Sequence, residues 1–372
     1  MQHRFTTSIN RVTIKVGSSL LLKEDYDLDL TFMKELVRNI AVLSERGMEV
    51  VLVSSGAIGM GKRELGVGKN FDAIPSKQAL ASVGQTHLMS LYSQFFQQYH
   101  ISVGQVLLSA ADLSRRSSYL NARNTLLTLF KLKIIPVVNE NDTVAVEEIK
   151  FGDNDTLSAL VAGLVDADLL IILSDIEGVY TEDPRRSPKA KLIRKVSCIS
   201  KEMETLAQST SVEGRIGGMQ TKIKAAKIAT RSGIPVIIGG KDKDFLPQLF
   251  AGKEEGTLFL SQKNRLTSRK RWIAYGHFLK GKIVVDRGAK RALLQEGRSL
   301  LPSGIIEVRG KFEVGDSISL LNEDNREFAR GITYYSAEEL KKIKGVRSHL
   351  IKHQLGYKYY DEVIHRDNMV IL

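Results

Sequence analysis

The sequence contains very little cysteine, proline and tryptophan, and it has no long apolar run. A single cysteine, Cys198, among 372 residues excludes an internal disulfide and any zinc site built from paired cysteines. No stretch of 18 or more apolar residues is present that would cross a bilayer. Residues 1–16 lack the apolar segment of a signal peptide, so we expect a cytoplasmic protein without membrane contact.

The composition is typical of a globular protein, and the length corresponds to about two domains. The net charge is +12, but it is distributed unevenly. Lys and Arg outnumber Asp and Glu by nine in residues 263–372 and by only three in residues 1–262. The basic part favours an anionic partner such as nucleic acid, although lysine and arginine also simply solvate surfaces. The nearly neutral part favours chemistry on small molecules.

Up to about residue 260, short apolar runs alternate with longer segments of helical spacing. The runs predict strands at Arg11–Val16, Glu49–Val53, Ser102–Leu108, Ile134–Val138, Leu169–Leu173, Pro235–Ile238 and Thr257–Leu260. The segments between them predict helices near 29–46, 75–99, 117–131, 154–165, 199–208 and 218–232. This alternation predicts an α/β domain, with a mainly parallel sheet between two helical layers and ligands beyond the carboxyl ends of the strands.

The pattern changes after residue 262. A polar, basic segment follows, so we predict a first domain at 1–262, a linker at 263–279 and a second domain at 280–372. The second domain has short strand patterns separated by glycine-containing turns, which is typical of a small β-barrel with few helices.

Two motif matches are incomplete. Gly56–Lys62 has the glycine spacing of a Walker A loop, but Arg63 stands where that loop needs a hydroxyl for magnesium. His365–Asp367 has the letters of the protein-kinase catalytic loop, yet no DFG follows it. Neither match predicts a function.

Three turns of small residues indicate phosphate binding. Lys15 precedes the turn Gly17–Ser19, and Ser54–Ala57 ends the second strand. Gly217 and Gly218 open a helix whose first turn holds Lys222. Backbone N–H groups in such turns, with an ammonium beside them, bind anions, although each turn alone is also compatible with an ordinary chain reversal.

Acidic and amide residues cluster in 138–142 and 151–155, with Glu147, Glu148 and Lys150 between them. Unpaired buried carboxylates are costly, so these clusters favour a site that binds an ammonium group and Mg²⁺. Ser174 and Asp175 follow another strand, and the loop 178–184 after them is placed to contact a nucleotide base and ribose. Each feature alone is weak, because Asp and Gly are common in turns.

Taken together, these blocks resemble the amino acid kinase family. The resemblance rests on IKVGSSLL, LVSSGAIGMG, SKQALASVGQTHLM, YLNARNTL, IIPVVNENDTVAVEEIKFGDNDTLSALVA, LLIILSDIEGVYTEDPR and GRIGGMQTKIKAA, in this order. The NENDTVA and KFGDNDTLSA blocks are specific to the branch that phosphorylates the side-chain carboxylate of L-glutamate with ATP, the first step of proline biosynthesis. GKIVVDRGAKRALLQEGRSLLPSGIIEVRGKFEVGDSI resembles the PUA domain.

The resemblance implies roles for individual residues. Lys15 is similar to an ATP-contacting lysine of the family, with Gly17 in the turn beside it. The implied glutamate-binding residues are Ser55, Gly56, Asp142, Asp153 and Asn154. The implied nucleotide-binding residues are Ser174, Asp175, Ile216, Gly217, Gly218, Met219, Gln220, Thr221 and Lys222. The family commonly has Thr where this chain has Ile216, so a side-chain hydroxyl contact is lost there while a backbone contact remains available.

The resemblance also implies a mechanism. We expect Lys15 and Lys222 to neutralise phosphoryl oxygens, with Mg²⁺ bridging the ATP phosphates. Asp142 is expected to hold the α-ammonium of glutamate. Asp153 or Asp155 is expected to orient the lysines or to hold the metal, and the sequence does not choose between them. Proline is the expected feedback inhibitor, and a homo-oligomer is the expected assembly.

Two alternatives stay open. Other members of the family phosphorylate acetylglutamate, aspartate or UMP. The PUA resemblance also allows an RNA-binding or RNA-modifying protein, although residues 1–262 contain no RNA-binding signature and carry little excess charge.

Overall fold

The computed structural model describes residues 9–23, 27–67, 73–109, 112–113, 115–144, 154–182, 184, 187–209, 218–240, 242, 244–261, 273 and 279–372. The chain divides into two compact units, Met1–Asp112 with Arg116–Arg265, and Leu113–Arg115 with Leu266–Leu372. The predicted linker 263–279 falls almost wholly on residues outside the described part, so its bounds stay a prediction.

The first unit contains an eight-stranded, mainly parallel sheet, which confirms the predicted fold class. Its strands are β1 Arg11–Val16, β2 Glu49–Ser54, β3 Val103–Leu108, β4 Ile135–Glu140, β5 Leu169–Leu173, β6 Lys195–Val196, β7 Val236–Gly239 and β8 Thr257–Phe259. The order across the sheet is β3-β4-β2-β1-β5-β7-β8-β6, and only the β7–β8 pairing is antiparallel. The sequence did not predict β6, because two residues are too short to show a period.

The helices of the first unit lie between the strands in sequence. They are α1 Ser18–Leu21, α2 Leu30–Glu45, α3 Ala57–Glu64, α4 Ile74–Gln97, α5 Arg116–Lys131, α6 Asn154–Leu164, α7 Lys201–Ser209, α8 Met219–Arg231 and α9 Phe245–Phe250. The sequence predicted no helix at α1 or α9, and it placed a helix after Ser54–Ala57, the present α3, without bounds. In α3, Gly59 and Gly61 lower the intrinsic helix propensity and hide the pattern.

Alternate residues of the strands face the two sides of the sheet. Val12, Ile14 and Val16 of β1 pack in one hydrophobic core with α2 and α4. Thr13 and Lys15 lie on the other face of the same strand, because successive side chains of a strand point in opposite directions. Helix α6 packs on that face against β1 and against α8. The predicted three-layer arrangement therefore places Lys15 between the sheet and α6.

Two glycines allow α3 and α4 to touch along their backbones. A Cβ at Gly61 would lie 1.9 Å from the carbonyl oxygen of Leu80, and a Cβ at Gly84 would lie 1.8 Å from that of Ala57. No larger residue fits at either position without moving a helix. This close approach fixes α4 relative to α3, which begins where β2 ends.

The second unit has a five-stranded mixed sheet. Its strands are β9 Gly281–Val285, β10 Ile305–Gly310, β11 Ser317–Leu321, β12 Glu327–Ile332 and β13 Met369–Ile371, in the order β10-β9-β11-β12-β13. Its helices are α10 Arg287–Gln295, α11 Ala337–Ile343 and α12 Ile351–Leu355, with short 3₁₀ turns at Pro302–Gly304, Ser348–Leu350 and Arg366–Asn368. This unit has its own hydrophobic core. Among the described residues, no helix is long and apolar enough to cross a membrane.

Candidate active site

The candidate site lies at the carboxyl edge of the first sheet. Strands β1, β2, β4 and β5 are neighbours and run parallel, so their carboxyl ends meet at one edge. Lys15 precedes the last residue of β1, and it pairs in register with Val53 of β2 and Ile172 of β5. The predicted turns after β1, β2 and β5 therefore open on the same edge of the sheet.

A buried carboxylate holds two lysines at this edge. Asp155, in the first turn of α6, is fully buried. Its Oδ1 lies 2.5 Å from Lys15 Nζ, and its Oδ2 lies 3.3 Å from Lys222 Nζ. Thr221 Oγ1 lies 2.8 Å from the same Oδ2 and 2.7 Å from the Gly218 carbonyl oxygen. Asp155, Lys15 and Lys222, called the Lys–Asp–Lys triad below, carry one net positive charge.

Competing effects set the charge of Asp155. Burial raises the pKa of this carboxyl, but the two ammonium groups and the hydrogen bond from Thr221 outweigh burial, so its pKa lies below the ordinary value. The carboxylate is therefore ionised at neutral pH. Both of its oxygens face cations, an arrangement suited to orienting the lysines, which is one of the two roles that the sequence left open.

A second cluster, of amides and hydroxyls, lies beside the triad. Asn154 Nδ2 lies 2.9 Å from the Ser54 carbonyl oxygen and from Ser55 Oγ and 2.8 Å from Asn139 Oδ1, so its two hydrogens are shared among three acceptors. Asn154 precedes Asp155 at the start of α6, while Asn139 lies in β4. The cluster thus ties the ends of β2 and β4 to α6. The sequence predicted Ser55 and Asn154 but not Asn139, although Asn139 stands inside the NENDTVA block.

The glycine turns differ in their geometry. Gly56 has φ of 102° at the start of α3, in the left-handed region that favours glycine. Gly17 has φ of −81°, and a Cβ there would lie 3.5 Å from Lys15 Nζ. A side chain at residue 17 would thus sit next to the ammonium group. Gly218 is the N-cap residue of α8 and makes no side-chain hydrogen bond to the first N–H groups of this helix.

The other predicted residues lie around these two clusters. Ser174 is buried directly after β5, and its hydroxyl lies 3.2 Å from the exposed Asp175 carboxylate. Met219 and Gln220 begin α8, with Gln220 exposed. Asp142 lies in the turn after β4. Asp153, Ile216 and Gly217 lie outside the described residues.

Sequence reasoning also missed two residues of α4. Gln85 Oε1 accepts a hydrogen bond from Asn139 Nδ2 at 2.8 Å, and Tyr92 Oη lies 2.8 Å from Ser54 Oγ. Burial raises the pKa of the Tyr92 phenol, although the hydrogen bond with Ser54 acts in the opposite direction. In the sequence Tyr92 stands among the apolar residues of a long helix, whereas Gln85 lies inside the SKQALASVGQTHLM block, which supported the family resemblance without singling out this residue.

The described residues do not present a cluster of acidic, histidine or cysteine side chains suited to a metal ion. Mg²⁺ that accompanies a nucleotide is commonly held by the phosphates and by water, with few protein ligands. The triad fits that arrangement, because its lysines supply the charge that phosphate oxygens require.

Comparisons with known proteins identify the family of this chain. The profile of the amino acid kinase family matches residues 10–240, and that of the PUA domain matches residues 281–355. A curated glutamate 5-kinase from Caldanaerobacter subterraneus subsp. tengcongensis is 50% identical over 363 residues, 97% of this chain and 98% of its own length. Another, from Syntrophotalea carbinolica, is 46% identical over 372 residues, 100% of both chains.

A solved structure is similar in fold. Carbamate kinase from Giardia lamblia bound to AMP-PNP superposes with a TM-score of 0.51 at 17% identity, covering 68% of this chain and 99% of that one. The full-length identities and the two domain matches place the sequence among known proteins. The chain belongs to the amino acid kinase family, within its glutamate 5-kinase group, and its second unit is a PUA domain.

Proposed function

We propose that the chain transfers the γ-phosphoryl group of ATP to the side-chain carboxylate of L-glutamate, giving L-glutamyl 5-phosphate, the first step of proline biosynthesis. The observation that carries the proposal is the buried Lys–Asp–Lys triad next to the amide cluster of Asn154. The relatives named glutamate 5-kinase, similar over the whole chain, support the choice of acceptor.

The chemistry needs charge neutralisation rather than a general base. The side-chain carboxyl of glutamate has an ordinary pKa of about 4.3, so it is already an ionised nucleophile at neutral pH. The difficulty is to bring this anion to a triphosphate and to stabilise the charge on the transferred phosphoryl oxygens. Groups with fixed positive charge meet that requirement.

Lys15 and Lys222 supply the positive charge. Both side chains are buried, with exposures of 6% and 9%, so their interactions with phosphate oxygens are weakly screened. Asp155 holds one ammonium at each of its oxygens, which fixes their separation before substrate binds. Preorganised charge of this kind costs no rearrangement during the reaction. Mg²⁺, bound to the ATP phosphates, would supply further neutralisation.

The amide cluster is the proposed amino-acid subsite. Ser55 and Asn154 lie beside the triad, and Asn154 Oδ1 is buried without a hydrogen-bond partner among the described residues. An unpaired acceptor at this place fits an N–H donor of the substrate, such as the α-ammonium. Asp142, in the turn after β4, supplies a carboxylate for the same ammonium in this proposal.

The proposal is tested by trapping the product. The purified chain is given MgATP with glutamate, N-acetylglutamate, aspartate or UMP, ADP release is measured for all four acceptors, and the acyl phosphates are trapped as hydroxamates. We expect turnover with glutamate. Turnover with another acceptor alone would refute the substrate assignment and favour a different branch of the family.

A charge variant tests the role of the triad. Lys222→Ala should lower kcat by about 10²–10³, the effect of removing one preorganised donor. Lys224, two positions along α8, is exposed, and Lys224→Ala removes the same charge outside the triad. Lys224→Ala should keep wild-type turnover. Wild-type turnover of Lys222→Ala would contradict the proposed role.

Proline is the proposed feedback inhibitor. It shares the α-carboxylate and a cationic α-nitrogen with glutamate, so the same subsite offers it partners. Initial rates at several glutamate and proline concentrations should show competition with glutamate. Rates that stay unchanged in saturating proline would contradict this assignment.

The PUA domain favours a second candidate function, the binding of single-stranded RNA. Residues 341–358 contain six Lys and Arg and no Asp or Glu. Tyr359 and Tyr360 nearby are exposed, and Tyr360 stacks on Tyr334 with ring centroids 4.2 Å apart. Cations beside exposed aromatic rings suit the backbone and the bases of a single strand.

Fluorescence anisotropy with labelled oligouridylate tests this candidate on the full chain. Binding should weaken steeply between 50 and 200 mM salt, as expected for phosphate contacts. Tyr359→Ala should weaken it further at fixed salt. Binding that is absent at low salt would refute the candidate and leave the basic residues as surface charge.

The cytoplasmic location and the homo-oligomer stay predictions. Light scattering would test the homo-oligomer.

A further inference from the structure

Helix α4 contributes a buried glutamine to the back of the amino-acid subsite. Gln85 is 8% exposed, and its Oε1 accepts from Asn139 Nδ2 at 2.8 Å. Asn139, 2% exposed, accepts in turn from Asn154 Nδ2. A chain of amides therefore runs from Gln85 through Asn139 to Asn154.

Backbone groups fix the orientation of each of these three side-chain amides. Asn139 Oδ1 accepts from the Glu140 N–H at 2.8 Å, and a backbone N–H only donates. Asn139 Nδ2 must then face Gln85, so the atom of Gln85 that faces it must be the acceptor Oε1. The orientation of Gln85 thus follows from backbone chemistry.

The same logic holds for Asn154. Its Nδ2 donates to the Ser54 carbonyl, which only accepts, and this fixes which way the amide is turned. Asn154 Oδ1 is left buried and without a hydrogen-bond partner among the described residues. The row of hydrogen-bonded amides therefore ends in one unpaired acceptor, Asn154 Oδ1, beside the triad.

Gln85 is needed because Asn139 is almost fully buried. Without Oε1 of Gln85, the Asn139 amide hydrogen would lose its partner, and an unpaired buried donor is costly. The amide would then turn or shift to find another acceptor, which would disturb its bond from Asn154. The Nε2 group of Gln85 has no partner among the described residues, so only its Oε1 takes part in the hydrogen bonds that link the three amides.

We infer that Gln85 is a positioning residue for the amino-acid substrate. It acts through Asn139 on Asn154, and it holds the unpaired Oδ1 of Asn154 where the α-ammonium of glutamate is bound. The inference rests on the proposed function, because that function supplies the ammonium group. It adds a residue of α4 that touches neither substrate nor nucleotide.

The test compares matched glutamine substitutions on one helix. Gln85→Met keeps the length of the side chain but removes the acceptor. Gln94→Met makes the same change at an exposed position of α4. Gln85→Met should raise KM for glutamate about tenfold and leave KM for ATP within about twofold, while Gln94→Met changes neither.

A third variant separates positioning from general damage to the fold. Gln85→Glu retains a carboxyl oxygen as acceptor at the position of Oε1 and replaces the unpartnered Nε2 by a second oxygen, so it restores the partner of Asn139 while it adds a buried carboxyl group. It should bring KM for glutamate back to within about threefold of wild type. Thermal denaturation adds a second readout, in which glutamate stabilises wild type and Gln85→Glu but stabilises Gln85→Met much less, whereas ATP stabilises all three.

The possible outcomes distinguish this inference from the function on which it rests. A wild-type chain that does not phosphorylate glutamate refutes the proposed function. An active wild type together with an unchanged glutamate KM in Gln85→Met refutes the inference alone. Equal increases of both KM values, with no rescue by Gln85→Glu, would show a merely structural role and would also overturn it.

Discussion

Removing the central charge of the Lys–Asp–Lys triad is the strongest test of the proposed site. Asp155→Asn keeps the shape of the side chain but leaves Lys15 and Lys222 buried without their counter-ion. The net charge of the triad rises from +1 to +2. The new amide also presents a donor where one lysine needs an acceptor.

The size of the effect follows from burial. Breaking a buried ion pair by removing one partner costs about 3–5 kcal/mol, because the remaining charge is uncompensated. We expect the free energy of unfolding of the first unit to fall by that amount. The lysines would also move apart, since the carboxylate that joins them is lost, and kcat should fall by about 10²–10³.

A matched control lies just beyond the other end of α6. Asp166 Oδ2 pairs with Arg123 Nη2 at 2.6 Å, and both side chains are partly exposed. Asp166 has φ of 54°, a conformation that asparagine adopts readily. Asp166→Asn should therefore cost no more than about 1 kcal/mol and leave kcat unchanged.

Urea denaturation followed by circular dichroism gives the stability, and the hydroxamate assay gives kcat and both KM values. The reasoning is refuted if Asp155→Asn keeps the stability and the kcat of wild type. A loss of stability as large in Asp166→Asn would also refute it, because burial would then not be the cause.

Three further predictions follow. The pKa of Asp155 is lowered by folding, so its stabilisation is complete above the ordinary value of 3.8 and is lost as the pH falls through the lower folded value. The stability difference between wild type and Asp155→Asn should therefore stay constant from pH 8 to about 5 and shrink below about 4 in urea titrations. Gly84→Ala should lower the free energy of unfolding by about 1–3 kcal/mol, because its Cβ would meet the Ala57 carbonyl. Ser336→Ala should cost about 1 kcal/mol in the second unit by calorimetry, because Ser336 forms a capping box at α11.

Each of these predictions has a clear contrary result. A stability difference that already changes between pH 7 and 5 would show that another group responds. Ser82→Ala, at an exposed position of α4, is the control for Gly84→Ala and should change stability by less than about 0.5 kcal/mol. Equal effects of the two variants would contradict the close helix contact. An unchanged calorimetric transition in Ser336→Ala would show that the cap does not stabilise the unit.

The amino-acid sequence by itself determined the fold class and much of the chemistry. Strands of β-branched residues and the longer helices follow from periodicity, since buried faces must recur every two or about 3.6 residues. Lys15 and Lys222 stand at the end of a strand and the start of a helix, where they already indicated phosphate binding. Asp155 stands in an acidic cluster that indicated a site for an ammonium group and Mg²⁺. The strand β6 and the bounds of α3 were not predicted, because two residues or a glycine-rich turn show no period.

Only the tertiary structure decided which residues meet. Asp155 and Lys222 are 67 positions apart in sequence, and the sheet order brings β1 beside β2 and β5 so that Lys15 reaches the same carboxylate. The choice between metal binding and lysine orientation for Asp155 needed the positions of both of its oxygens. Gln85 stands inside the SKQALASVGQTHLM block, but the sequence did not single it out, because its role arises from a buried partner on strand β4 rather than from any neighbour along the chain.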